Sequence, residues 1–86
     1  MKYTDPDAKC IITGKVGCDL HHWKTRGAGG PDESWNLMPL SHDKHLEVHA
    51  KGKKWFCEKY PAVRHWLLNH GWDYCWLMCR WRHRDE

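Results

Sequence analysis

The sequence predicts a small α+β fold. Glycine-separated β-favouring patches come first, a helical segment with clear end signals follows, and alternating aromatic residues close the chain. With 86 residues, one domain spanning residues 1–86 is expected. A chain of this length is close to the size at which a bound metal or a disulfide becomes important for stability.

The first strands are expected within residues 9–23. Residues 1–8 are polar and are predicted to be a loose lead-in, whereas a glycine at position 14 indicates a tight turn between two short strands. Residues 24–35 contain three glycines and a proline, which is typical of a loop. The chain is then expected to be extended and apolar over residues 36–40.

One helix is predicted with well-defined ends. Ser41 is a favourable N-cap, Asp43 lies in the first turn where the helix dipole favours an acid, and Gly52 is a natural stop. Side chains four residues apart share a helix face, with Cβ atoms roughly 6 Å apart. His45 and His49 are therefore expected to lie on the same side of this helix.

Two further helices and a terminal β-ribbon are expected after Gly52. A short helix should run from Lys53 to Tyr60 and end before Pro61, since the residue preceding a proline avoids the α region. Pro61 can itself open the next helix, which should end at Gly71. From Trp72 onward, alternating aromatic residues predict two short strands, with a helix as the alternative.

Composition limits the class of protein. The five cysteines are an odd number and follow no apolar leader, so reduced thiols in a cytoplasmic protein are expected rather than a disulfide framework. No apolar run approaches the roughly 18 residues of a membrane span, so no membrane partner is expected. The formal charge of +3 is compatible with a nucleic-acid partner without demonstrating one.

The stretch from His21 to His49 contains the strongest signal for chemistry. It begins with the pair His21-His22, passes a glycine-rich segment and Asn36, and ends with His45 and His49. Imidazole nitrogens bind a divalent ion at about 2 Å, so the two helical histidines and His21 would leave one side of the ion open. An isolated His-x-x-x-His is more often solvent-facing, but this combination favours a metal site.

These residues resemble the HNH endonuclease family, also called ββα-metal nucleases. The resemblance covers residues 10–52 and rests on the order and spacing of the His-His pair, the Thr25–Gly30 loop, Asn36-Leu37, Pro39-Leu40 and the His-x-x-x-His helix. It implies a hairpin-and-helix core, with residues 53–86 as a C-terminal extension. Small stand-alone members of this family are frequent in bacteriophages and mobile elements.

The resemblance also implies a role for each matched residue. His22 is expected to be the general base, and Asn36 is expected to tether the loop and keep that base oriented. His21, His45 and His49 are expected to hold one divalent ion, either Mg²⁺, Mn²⁺, Ni²⁺ or Zn²⁺. The expected activity is one-metal hydrolysis of DNA phosphodiester bonds that leaves a 5′-phosphate.

Four basic side chains are candidate contacts for the phosphate backbone: Lys24, Arg26, Arg80 and Arg82. For the two C-terminal arginines, an ordinary solvated tail is an equal alternative. DNA is the expected partner, and RNA stays open because imidazole and a metal act on either backbone. A homodimer or a targeting partner protein would supply the specificity that so small a chain lacks.

Two other functional classes remain open. The chain would be a catalytically inactive nucleic-acid-binding module if its metal only stabilised the fold, or a protein-interaction domain held together by zinc. A zinc protease is excluded as an interpretation, because its motif needs a glutamate directly after the first metal-binding histidine as the general base. Glu47 instead lies about 200° from His45 around the helix and cannot serve as that base.

A second metal site is not expected. Many HNH proteins carry a structural zinc on paired cysteines, but only Cys10 remains here, with Thr13, Ser41 and Lys44 at the other positions. A different zinc site, built from Cys75, Cys79 and His83, would require the C-terminal segment to be helical.

Overall fold

The computed structural model describes residues 4–85, which form two antiparallel sheets and three α-helices. The predicted α+β class is confirmed. The first sheet has the order β1-β2-β3, with strands Thr4–Lys9, Val16–His22 and Leu37–Leu40. The helices are α1 (His42–Lys51), α2 (Lys53–Lys59) and α3 (Pro61–Asn69). A separate ribbon pairs β4 (Trp72–Cys75) with β5 (Arg80–His83).

The first strand corrects the prediction of a loose lead-in. Residues 4–9 form β1, which pairs with β2 through an irregular register between Asp5 and Lys9. A proline and three charged residues give this segment a low intrinsic β preference, so its strand conformation depends on the neighbouring edge of β2. Residues 1–3 of the predicted lead-in lie outside the described residues.

The central strand β2 positions the histidine pair. Its antiparallel register with β3 places His21 opposite Met38 and His22 opposite Leu37. Met38 is fully buried and His21 is 5% exposed, whereas His22 is only partly buried. This alternation follows from the two-residue period of a strand, which sends neighbouring side chains to opposite faces.

Helix α1 has the predicted ends. Ser41 is the N-cap residue, although its hydroxyl donates to Asp43 Oδ1 (2.6 Å) rather than accepting from a backbone N–H of the first turn. Gly52 ends the helix at φ +92°, a conformation that side-chain-bearing residues rarely adopt. The chain can therefore enter α2 at Lys53 without an intervening loop.

The predictions for the second half are also confirmed. Helix α2 ends one residue before Tyr60, and Pro61 opens α3 as expected. The C-terminal segment forms strands, so the alternative of a helix is wrong and Cys75, Cys79 and His83 do not share a helical face. The longest helix in the described part of the chain has 10 residues, and none there is long and apolar enough to cross a membrane.

One apolar core joins both halves of the chain. It combines side chains from the residue after β2, from β3, from all three helices and from the start of β4: Trp23, Met38, Leu40, Val48, Phe56, Cys57, Val63, Leu67 and Trp72. Trp72 is 1% exposed, and its indole N–H donates to the carbonyl oxygen of Trp35 (2.7 Å). The C-terminal ribbon is thereby fixed against the loop that precedes β3.

Candidate metal centre

The structure brings His21, His45 and His49 together. His21 lies on β2, and the other two lie one turn apart on α1. Each offers one nitrogen, and these nitrogens lie within 4.8 Å of one another. The ring centroid of His21 is 5.2 Å from that of His45 and 5.2 Å from that of His49. His45 and His49 lie on one helix face, as predicted, and together with His21 they form a cluster that could hold a metal ion.

The spacing of the two helical imidazoles suits a shared ion. Their Nε2 atoms lie 3.1 Å apart. Two nitrogens bound to one ion at about 2.0–2.1 Å are separated by roughly 2.8–3.0 Å in octahedral geometry and roughly 3.3–3.4 Å in tetrahedral geometry. The wider limit of 4.8 Å for all three nitrogens means that the rings would move closer together around a bound ion.

His21 supplies an independent indication that a ligand belongs here. Its Nε2 is buried and has no hydrogen-bond partner among the described residues. A buried polar atom without a partner is unfavourable, so a cation at the centre of the cluster would satisfy it. Burial, followed by the neighbouring imidazoles of His45 and His49, lowers the pKa of His21 to about 3. The ring is therefore kept in the neutral form that binds metals.

Asp19 orients one of the helical histidines. Its Oδ2 lies 2.9 Å from Nδ1 of His45 and 2.9 Å from Nδ1 of His42. Hydrogen bonds from His42 and then His45 lower the pKa of Asp19, so the carboxylate is ionised and acts only as an acceptor. Nδ1 of His45 must then donate, which leaves the lone pair of the neutral ring on Nε2, facing the cluster.

The sequence contained a signal for Asp19 that the analysis of motifs missed. Asp19 and His21 are two residues apart on β2, and alternate residues of a strand line the same face. A carboxylate next to a candidate metal-binding histidine is a common supporting arrangement. The side chain of His42 is 75% exposed and reaches this carboxylate from outside the cluster.

His22 is paired with a second carboxylate that sequence reasoning did not identify. Its Nε2 lies 2.7 Å from Oδ1 of Asp32, and the side chain of His22 is 10% exposed. An ionised carboxylate can only accept, so Nε2 donates and Nδ1 carries the lone pair. The arrangement is chemically suited to accepting a proton at Nδ1. Asp32 was read only as a loop residue because it lies ten positions away from its partner.

Asn36 holds the intervening loop closed. The side chain is fully buried, its oxygen accepts from the backbone N–H of Lys24 (2.8 Å), and its amide donates to the carbonyl oxygens of Lys24 and Pro31 (3.0 Å each). These bonds connect the two ends of the loop that carries Asp32. The geometry is that of a tether, because these three hydrogen bonds of the Asn36 side chain all go to the backbone of the loop.

Glu47 and Cys10, two further candidates from the sequence, lie outside the histidine cluster. Oε1 of Glu47 accepts from the hydroxyl of Tyr60 (2.5 Å) and lies 3.4 Å from Nζ of Lys44, on another side of α1. Burial alone would raise the pKa of Cys10, but hydrogen bonds from the side chain and backbone of Thr13 help to lower it to about 7. Neither residue belongs to the metal-binding group found among the described residues.

The four predicted phosphate contacts are divided among three places. Lys24 and Arg80 line one cavity of about 260 Å³, here called the ribbon cavity, between residues 23–24, residues 53–54 and the ribbon. Arg82 lines a different, more open cavity of about 310 Å³. Arg26 is exposed in a 3-10 turn of the loop. The fold thus brings Lys24 and Arg80 to one cavity, whereas Arg26 and Arg82 lie elsewhere.

Comparisons with known proteins yield one short similarity. The chain is similar to the uncharacterized 38.5 kDa protein in psbA intron 1 of Chlamydomonas moewusii, with 47% identity over 38 residues. The matched segment covers 44% of this chain and 11% of that protein. No family model matches the chain, and no solved structure matches it. The similarity is therefore local and assigns no activity.

Proposed function

We propose that this protein is a metal-dependent endonuclease that hydrolyses phosphodiester bonds in DNA. In this proposal, His21, His45 and His49 hold one divalent ion and His22 is the general base. The observation that carries it is the convergence of three imidazoles around a buried, unpartnered nitrogen of His21. The resemblance of the motif to HNH endonucleases supports the same assignment.

The donor set favours particular metals. Three neutral imidazoles suit Zn²⁺ and Ni²⁺ better than Mg²⁺ or Mn²⁺, which prefer oxygen ligands. A bound divalent ion would supply positive charge for the phosphate oxygens and the leaving oxygen during hydrolysis. His49 is exposed and His21 is buried, so the accessible side of the cluster faces solvent at the rim formed by His49.

The chain's own residues supply the proton transfer. Nδ1 of His22 takes a proton from the attacking water, the water oxygen bonds to phosphorus, and the bond from phosphorus to the 3′ oxygen breaks. Asp32 stabilises the imidazolium that results, because its carboxylate accepts from Nε2. The departing 3′ oxygen is protonated by solvent. Asn36 holds the loop that positions Asp32 relative to His22.

Nicking of supercoiled plasmid DNA tests the proposal. The parent protein is tested with Zn²⁺, Ni²⁺, Mn²⁺ and Mg²⁺ in turn. It should nick DNA with at least one of these ions. His22→Ala should lower the rate by about 10²–10⁴-fold, the usual contribution of a general base, while metal binding and folding persist. His65→Ala is the matched control, because His65 is exposed on α3 outside the cluster.

Three results would contradict the proposal in different ways. Equal nicking by the parent and His22→Ala would remove His22 from the mechanism. Binding without nicking under any of the metals would favour a metal-stabilised nucleic-acid-binding module. Neither nicking nor binding would favour a purely structural role for the histidines.

A further inference from the structure

The ribbon cavity lies outside the histidine cluster but next to it in the chain. Trp23 and Lys24, which line it, directly follow His22 on β2, and the ring centroid of Trp23 is 6.1 Å from that of His21. The opposite wall comes from the β4–β5 ribbon, which lies beyond the segment that resembles HNH endonucleases. The cavity is therefore a feature of this chain's own C-terminal extension.

Aromatic side chains form the inner surface of the ribbon cavity. Trp23 and Trp72 are buried at its base, and the partly buried rings of Tyr74 and Trp81 lie 5.6 Å apart at an interplanar angle of 76°. Aromatic rings in a groove offer stacking or edge contacts to any nucleobase, because every base has a π-face. The lining is accordingly suited to a flat aromatic ligand.

Cationic side chains surround this aromatic surface. Lys24, Lys53, Lys54 and Arg80 all line the cavity, and no Asp or Glu of residues 4–85 is part of its lining. Nζ of Lys53 lies 5.5 Å from the ring centroid of Trp23 and donates to the carbonyl oxygen of Trp23 (2.7 Å). A ligand that combines an aromatic ring with negative charge would be complementary to both parts of the site.

The size of the cavity limits its ligand. A volume of about 260 Å³ is slightly below the roughly 300–1,000 Å³ of pockets for drug-sized molecules. A single base with its sugar is of suitable size, whereas a stacked base pair is not. The combination of aromatic and basic groups is also typical of sites that bind single-stranded nucleic acid.

We propose that the ribbon cavity binds one unstacked nucleotide of a nucleic-acid strand, with the base against the aromatic surface that Tyr74 and Trp81 form together and the adjacent phosphate near Lys54 and Arg80. This inference rests on the proposed function for its choice of nucleic acid as the substrate class. Occupancy of the cavity would hold the strand near His22, because Trp23, which lines the cavity, directly follows His22 in the chain.

Binding measured in EDTA tests the inference separately from cleavage. The probe is a short, fluorescently labelled single-stranded oligothymidylate, compared by anisotropy with an abasic strand of equal length. The parent protein should bind the base-containing strand roughly tenfold more tightly, as expected for one stacked base. Tyr74→Leu should lose this preference, whereas Tyr74→Phe should retain it because the ring remains.

Two lysines of α2 provide a matched pair for the phosphate contact. Lys54 lines the ribbon cavity, and Lys59, at the other end of the same helix, does not. Lys54→Gln should weaken binding of both strands and lower the salt dependence of binding by about one phosphate contact. Lys59→Gln should bind both strands as the parent does.

The outcomes separate this inference from the proposed nuclease activity. Equal affinity of the parent for base-containing and abasic strands would overturn the cavity assignment, even if plasmid nicking is observed. A base preference that survives Tyr74→Leu would also overturn it. A preference lost in Tyr74→Leu would support the cavity, and would do so even if the parent nicks no DNA and the hydrolase proposal fails.

Discussion

Asp19 connects the backbone of the first sheet to the chemistry of the histidine cluster. Its carboxylate accepts from Nδ1 of His45, so Nε2 of that ring faces His49 with its lone pair. The Nε2 atoms of His45 and His49 lie 3.1 Å apart, a spacing that one shared divalent ion would accommodate. In the proposed metal site, the carboxylate therefore orients His45 without being a ligand itself.

Removal of this carboxylate should weaken metal binding. We expect Asp19→Ala to reduce affinity for Zn²⁺ or Ni²⁺ by about 10–100-fold, the usual effect of losing the partner of a metal-binding histidine. Isothermal titration calorimetry measures the change directly. Asp73→Ala is the control, since Asp73 is exposed on β4. Equal affinities of parent and Asp19→Ala would show that the orientation of His45 does not depend on Asp19.

At the residue level, the sequence predicted the clustered histidines but not the carboxylates that pair with them, Asp19 and Asp32. His45 and His49 could be paired because helical spacing alone places them together, and the proposed third member followed from the motif. Asp32 could not be paired with His22, because the glycine-rich segment of nine residues between them has many conformations until Asn36 closes the loop. The position of Asp19 could have been predicted, because alternate residues of β2 line the same face and Asp19 lies two residues before His21.

Among the elements, the loop between β2 and β3 depends on one close backbone contact. An added Cβ at Gly30 would lie 1.8 Å from the carbonyl oxygen of Lys24 and 2.9 Å from the side-chain nitrogen of Asn36. Only glycine allows the chain to pass this point while Asn36 keeps its three hydrogen bonds. The loop that carries Asp32 is thus shaped by both residues.

Gly30→Ala should therefore destabilise the fold. We expect a loss of about 1–3 kcal/mol in the free energy of unfolding, the range for forcing extra volume into a packed region. Gly27→Ala is a suitable control because an added Cβ there meets nothing within 4 Å, and its effect should stay within about 0.5 kcal/mol. Urea denaturation measures both. Equal unfolding midpoints would contradict the close contact.

The elements differ in how far local sequence determined them. Helix α1 was predictable because Ser41 and Gly52 define its ends, and Pro61 likewise defined the start of α3. Strand β1 was not, since its composition disfavours a strand and only pairing with β2 imposes that conformation. The ribbon was predicted from aromatic alternation, but its packing against Trp35 required the tertiary structure.

At the scale of the whole molecule, the apolar core contains side chains of the C-terminal extension as well as of the first sheet. Cys57 on α2 is 6% exposed within this core, and burial raises the pKa of its thiol from 9.0 to about 11. The thiol therefore keeps its proton in the folded state at a pH where it has already ionised in the unfolded chain. The folded state binds more protons than the unfolded state in this interval.

It follows that the contribution of Cys57 to stability is full below about pH 9 and is lost as the pH rises towards about 11. Denaturant titrations across this interval should show a shallower decline in the free energy of unfolding for Cys57→Ala than for the parent. Cys79→Ala, which removes an exposed thiol of the ribbon, should keep the parent's pH dependence. Identical slopes for the parent and Cys57→Ala would contradict the assigned burial.

The ribbon cavity illustrates what no local pattern could reveal. Its lining comes from three segments separated by tens of residues, and only the core that joins β2, α2 and the ribbon brings them together. Lys24 and Arg80 were each proposed as phosphate contacts from local context. Their common cavity, and the aromatic surface between them, depends entirely on the tertiary fold.

A crystal structure of the protein loaded with Zn²⁺ or Ni²⁺, with anomalous scattering recorded at the metal edge, tests the central claim most directly. One anomalous peak should lie about 2.0–2.1 Å from a nitrogen of each of His21, His45 and His49. A peak coordinated by other side chains, or no peak at these three imidazoles under saturating metal, would contradict the claim that they form one metal centre.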